Sequence, residues 1–119
     1  MARLTDPELL ARYLQALNDW NVEGAIELEG RAWEGLRTTL EGVTVRFFKE
    51  CLWRFVVDEG GEIDQVKEKR EPWRDLWEWH FDLRPTIEGL KIYVETRLDP
   101  ESFGSDREPV IRVVQIKPA

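Results

Sequence analysis

The sequence predicts an α+β domain in which N-terminal helices pack on a C-terminal antiparallel sheet. Three observations predict it. Up to Val57, apolar residues recur at helical spacing; from Leu76 onward they alternate by twos. Between them lies a charged stretch, Asp58 to Pro72, carrying the adjacent glycines Gly60 and Gly61. Helices that precede a set of strands, rather than alternating with them, give the α+β class. At 119 residues the chain is one domain, residues 1–119, large enough for a single core.

The first helix begins at Thr5-Asp6-Pro7-Glu8, where Asp6 can cap free N–H groups and Pro7 suits the first helical position. Leu9, Leu10, Tyr13, Leu14 and Leu17 form its inner stripe, and it should end between Asn18 and Asn21. Gly24 breaks the chain before Ala25 to Leu28, which reads as a short strand or extended link. A second helix spans Arg31 to Leu40 with Ala32, Trp33, Leu36 and Leu40 inward. Gly35 weakens it by about 1 kcal/mol relative to alanine, and Gly42 supplies a C-terminal stop. The third helix, about Thr44 to Val57, sets Phe48, Cys51, Leu52 and Phe55 on one buried stripe. The stretch from 58 to 72 reads as a loop with a helical turn near Asp64 to Arg70, of a length that is often mobile or functional.

The twofold pattern then starts. Leu76 to Arg84 is a strand with Trp77, Trp79, Phe81 and Leu83 on one side and Glu78, His80, Asp82 and Arg84 on the other. Pro85 to Gly89 is a turn. Leu90 to Leu98 follows, with Lys91, Tyr93, Glu95 and Arg97 on its polar side. Asp99 to Pro109 is a polar connector, and Val110 to Lys117 is the last strand. Strict alternation in that strand groups Lys117 with Gln115 and Val113 and leaves Arg112 on the opposite face.

Composition narrows the function. No apolar run approaches the ~18 residues of a membrane span, and MARLTDPELL lacks the apolar stretch of a signal peptide. The single cysteine, Cys51, cannot form an internal disulfide, so a reducing cytoplasm is the expected home. The formal charge is −7. Residues 1–83 hold 11 Lys/Arg against 18 Asp/Glu and residues 84–119 hold 6 against 6, so the whole excess lies in the first part. An acidic chain is repelled by nucleic acid at long range and is attracted to a basic protein.

No phosphate-binding glycine loop, GxSxG or HExxH is present, and one His with one Cys cannot build an ordinary zinc site. No metal and no cofactor is expected. Cys51 belongs to the apolar stripe of helix three, where core packing explains it. The polar side of the hairpin remains. A turn centred on Ile87 would set Arg84 opposite Lys91, Asp82 opposite Tyr93, His80 opposite Glu95 and Glu78 opposite Arg97, all on one face. His80 beside Glu95 would be an acid–base pair. Alternating charge on one face of an antiparallel sheet is by default the face turned to water; it is also the one place in this sequence where catalysis could reside. The Lys67-Glu68-Lys69-Arg70 run reads as a solvated segment that could bring cations to a phosphate, and Trp77 and Trp79 as core or rim.

The element order, with "HFDLRPTIEGLKIYVETRL" as strand–turn–strand and "VIRVVQIK" as a final strand closing on a lysine, resembles the RelE-like toxin fold, and within it the MqsR-type toxins. The resemblance is concentrated in residues 77–117 and implies a metal-independent endoribonuclease, an mRNA interferase of a toxin–antitoxin system. Its substrate would be RNA, cleaved through the ribose 2′-OH, and its partner an antitoxin. On matching positions Tyr93 stands at the family's strand tyrosine, Lys117 at its terminal lysine, and His80 near a family glutamine. These three are the implied catalytic residues, with Arg84, Lys91 and Arg97 binding substrate. A further family lysine corresponds to Lys49, Lys67 or Lys69. Two other readings stand beside it. The acidic half suits a non-enzymatic, immunity- or antitoxin-like module that masks a basic protein. "LARYLQALNDWNVEGAIEL" is similar to the opening helix of nuclear-transport-factor-2-like domains, which implies a small-ligand fold with an apolar pocket behind a curved sheet.

Overall fold

A computed structural model describes residues 2–71, 77–99 and 108–119. Among the described residues three helices lie on one face of a seven-stranded, mostly antiparallel sheet, so the α+β class holds. Helix α1 spans Pro7–Asn18. Asp6 caps it, its side chain accepting from the N–H groups of Glu8 and Leu9 at 3.0 Å, and Pro7 occupies the first turn. Helix α2 spans Gly30–Thr39 and α3 spans Val45–Trp53, the latter capped by the Thr44 hydroxyl. A π-helical turn, Arg54–Asp58, extends α3.

The strands are β1 (Ala2–Arg3), β2 (Ile26–Leu28), β3 (Asp64–Lys67), β4 (Trp79–Leu83), β5 (Thr86–Ile87), β6 (Leu90–Leu98) and β7 (Ile111–Pro118). Their order across the sheet is β1-β3-β4-β6-β7-β2, and β5 continues the β4 side of the hairpin against β6. All pairings are antiparallel except β2 with β7.

Phe81, Leu83, Ile92, Val94, Leu98, Ile111, Val113 and Ile116 point from the sheet into one core with Tyr13, Leu17, Leu36, Phe48 and Leu52 of the helices. Tyr13 is fully buried, and its hydroxyl lies 2.7 Å from the Thr96 hydroxyl. Thr96 spends its one proton on the Phe81 carbonyl, also at 2.7 Å, so the Tyr13 O–H must be the donor between them. Gly35 is where α2 meets the sheet: a Cβ there would stand 2.1 Å from the Ile116 carbonyl oxygen. The glycine that weakens the helix locally is what lets it lie against β7.

Several expectations are corrected. Trp33 is 51 % exposed rather than inward, because its neighbours Ala32 and Leu36 already supply the contact of α2 with the core. The segment Asp64 to Arg70 has no helical turn; Asp64–Lys67 pairs with β4 along its whole length, and β1 pairs with Asp64 and Gln65 on its other side. Leu76, expected to open the first hairpin strand, lies outside the described residues. Trp77 precedes β4, and its ring packs under the Arg97 guanidinium, on the polar side rather than the apolar one.

The hairpin register also differs. Phe81 pairs with Thr96, Asp82 with Glu95 and Leu83 with Val94. The turn sits on Glu88-Gly89, whose φ values of 51° and 79° give the two positive dihedrals of a type I′ turn. That turn matches the twist of the strands, and it moves the pairing by two residues from the expected one. Because side chains alternate with period two, an even shift leaves every residue on its expected face. In β7 the pairing slips between Glu95/Gln115 and Thr96/Val113, which makes Val114 an extra residue. This bulge reverses the alternation beyond it. Arg112 therefore pairs with Arg97 on the polar face with Lys117 and Gln115, and Val113 turns to the core.

Candidate functional site

The polar face is assembled from four adjacent strands. Strand β4 contributes His80 and Asp82, and Arg84 follows at its end; β6 contributes Lys91, Tyr93, Glu95 and Arg97; β7 contributes Arg112, Gln115 and Lys117; β3 contributes Asp64. Cross-strand pairing sets three carboxylates in a row, Asp64 opposite Asp82 and Asp82 opposite Glu95. Like charges placed directly opposite repel, so this row requires cations, and the structure supplies them locally.

Arg70 is the central one. Its guanidinium donates to both oxygens of Glu68 at 3.0 Å and to Glu95 at 2.5 Å. Arg97 donates to Glu68 at 3.2 Å and lies 3.7 Å from Glu95. Glu68, Glu95 and Arg97 are all buried, at 3 %, 2 % and 2 % exposure. Burial alone would raise the Glu68 carboxyl, but the hydrogen bonds of Arg70 and the charges of Arg70 and Arg97 outweigh it and hold it at about 2. Toward the hairpin end of the face Arg84 pairs with Asp64, and at the opposite end, beside Arg97, Arg112 pairs with Asp99.

Two expectations about this face are overturned. It is not simply the wet side of the sheet: His80, Asp82, Glu95 and Arg97 are buried. The partner of His80 is also not Glu95. The register gives Glu95 to Asp82, and Nδ1 of His80 lies 2.8 Å from Oδ1 of Asp82, two residues along the same strand. The side chain of His80 retains 11 % of its exposure.

Tyr93 and Lys117 are direct partners across β6 and β7, and the ammonium stands 5.1 Å from the centre of the phenol ring. Arg84 covers the same ring at 5.4 Å. The phenol is thus held between two cations. Its hydroxyl is pushed well above the ordinary tyrosine range, first by burial and then by the charges of Asp82 and Glu95. Lys117 is exposed, and among the described residues no carboxylate lies within ion-pairing distance of it. Lys91, two residues before Tyr93, is exposed on the same face.

The face therefore groups Tyr93, Lys117, Arg84 and Lys91 at its hairpin end, with His80 on the same face four residues before Arg84 along β4. Arg97 shares it but is enclosed in the internal network with Glu68, Glu95 and Trp77. Of the three candidate lysines, Lys49 belongs to α3 in the helical layer. Lys67 is in register with Trp79, not with His80, and its ammonium lies over the Trp79 ring. Lys69 is exposed beyond the end of β3. The cation that reaches the face from this segment is Arg70. Sequence reading missed it because Lys67-Glu68-Lys69-Arg70 looks uniformly solvated; its alternation, with Glu68 and Arg70 on one parity, was the available signal.

Cys51 is partly buried, and burial raises its thiol, in keeping with a packing role. Among the described residues no group of three or more His, Cys, Asp or Glu could hold a metal ion, and no helix is long and apolar enough to cross a membrane. The helix-facing side of the sheet is filled by Tyr13, Leu17, Phe48 and Leu52. Comparison with protein-family models, with curated proteins and with solved structures found no match to this chain.

Proposed function

We propose that the chain is a metal-independent endoribonuclease of the toxin type, with the RelE-like architecture of the MqsR-type toxins, and that it cleaves RNA on the polar face of its sheet. The observation that carries this reading is that an imidazole, a phenol and an ammonium with no ion pair among the described residues share one face of three neighbouring strands. RNA brings its own nucleophile, so the protein has three tasks. His80 accepts the proton of the ribose 2′-OH as that oxygen attacks the phosphorus. Lys117, Arg84 and Lys91 offset the charge that grows on the phosphate oxygens. Tyr93, kept neutral by burial and by Asp82 and Glu95, gives its proton to the departing 5′-oxygen as the P–O5′ bond breaks. The products are a 2′,3′-cyclic phosphate and a 5′-hydroxyl end.

Charge balance within the face supports an anionic substrate despite a net −7. Asp64, Glu68, Glu95 and Asp99 are each matched by an arginine and Asp82 by His80, which leaves Lys117 and Lys91 facing solvent. Arg97 is left out of substrate binding here because it is buried against Glu68. The acidic excess of residues 1–83 favours a basic protein partner, in keeping with an antitoxin, and a pull-down that loses its partner as salt rises tests that part.

The test is incubation of the purified chain with single-stranded RNA in the presence of a chelator, followed by analysis of the ends. Cyclic phosphate ends that disappear in His80→Ala, Tyr93→Phe and Lys117→Ala are expected, with losses of about 100-fold or more for the proton-transfer groups. Intact RNA at an excess of folded protein refutes the reading.

A further inference from the structure

We infer that Asp82 is a positioning residue that fixes His80 in the tautomer protonated at Nδ1, so that Nε2 is the acceptor this imidazole presents. The role for catalysis rests on the nuclease reading above; the tautomer itself does not.

The argument is geometric. His80 Nδ1 lies 2.8 Å from Asp82 Oδ1, and both groups are buried. An ionised carboxylate has no proton to give, so a hydrogen bond of this length requires the proton on Nδ1. A free neutral imidazole carries its proton mainly on Nε2, and Asp82 inverts that preference. Nothing else described competes for the ring. Across β3 the residue opposite His80 is Val66, which has no polar side-chain atom. The charged groups around Asp82 are Asp64 on β3 and Glu95 on β6, and each has its own arginine, Arg84 and Arg70. Arg97 is held by Glu68. Among the described residues the ion-pair contact of Asp82 is with His80, and the Tyr93 hydroxyl also approaches this carboxylate as a donor.

The arrangement is also local. His80 and Asp82 are two residues apart on one strand and so share a face by the pleat alone. Their contact does not depend on the hairpin register. A carboxylate that orients a catalytic imidazole through Nδ1 is a known device for making Nε2 a general base; replacing the carboxylate by its amide inverts the tautomer and lowers turnover about 10⁴-fold in serine proteases.

The chain contains one histidine, so the imidazole can be read without assignment. The protein is labelled with ¹⁵N-histidine, and two-bond ¹H–¹⁵N correlation spectra are recorded as pH is raised until the ring is neutral. The expected pattern is a protonated Nδ1 and a pyridine-like Nε2. In Asp82→Asn, whose amide N–H can donate to Nδ1, the pattern should reverse. Cleavage of RNA by that variant should fall by about 100-fold to 10⁴-fold in kcat with KM little changed. A wild-type ring protonated at Nε2 overturns the inference even if Asp82→Asn fails to fold, and so does an unaltered tautomer in the folded variant. The expected tautomers in a protein that leaves RNA intact would sink the nuclease reading alone.

Discussion

Gly35→Ala tests how closely α2 lies on the sheet. On an exposed helix this substitution would stabilise by about 1 kcal/mol, because alanine loses less backbone entropy. Here the new Cβ would stand 2.1 Å from the Ile116 carbonyl oxygen and 3.0 Å from its carbon. Ordinary contact begins near 3.4 Å, so α2 must retreat by about 1.3 Å. The obstacle is strand backbone, which cannot swing aside as a side chain would. Overpacking of this kind costs about 1–3 kcal/mol or more, and the rigid obstacle puts it at the upper end. After the helical gain is subtracted, a net loss of about 2 kcal/mol remains. For a chain of this size that corresponds to a fall in Tm of roughly 6–12 °C. Thermal unfolding followed by circular dichroism measures it. Gly30→Ala is the internal control: the same helix, but nothing within 4 Å of the new atom, and so an unchanged or slightly higher Tm. Gly35→Ala with wild-type stability or better would refute the claim that this glycine is kept for close approach. The consequence reaches the site, because Ile116 directly precedes Lys117 on β7.

Two further outcomes follow from buried polar groups. Glu68 sits at about 2 in the fold against 4.5 as an ordinary glutamate, so its contribution is fully present above about pH 4.5 and is lost as pH falls toward 2. Stability measured by urea unfolding between pH 6 and pH 3 should therefore drop more steeply in the wild type than in Glu68→Gln. At pH 7 that variant should be weaker by about 3 kcal/mol, the low end for a broken buried pair, since Arg70 is half exposed and keeps Glu95. Parallel pH slopes would contradict the assignment. Tyr13→Phe removes the donor to Thr96 while Thr96 keeps its bond to the Phe81 carbonyl; a loss of about 1 kcal/mol is expected in the same assay, and a stabilised variant would show that the hydroxyl does not hold α1 to β6.

The local code of the chain settled the helices and the facing of the hairpin. Asp6-Pro7 and Thr44 cap helices whose apolar stripes close on a core, and these signals act within a few residues. The phase of β4 and β6 was legible for a stronger reason. Alternation has period two, so His80, Asp82, Arg84, Tyr93 and Glu95 share a face in any register that differs by an even number. Their actual partners were another matter. The type I′ turn at Glu88-Gly89 gave Glu95 to Asp82 rather than to His80. The Val114 bulge returned Arg112 to the face of Lys117. Only the paired sheet could draw Asp64–Lys67 out of a charged loop, or bury Glu68 and Glu95 beneath Arg70 and Arg97. Periodicity is written along one strand and survives without neighbours. Ion pairing between residues 25 and 29 positions apart, and a bulge in one strand opposite another, exist only once the strands stand side by side.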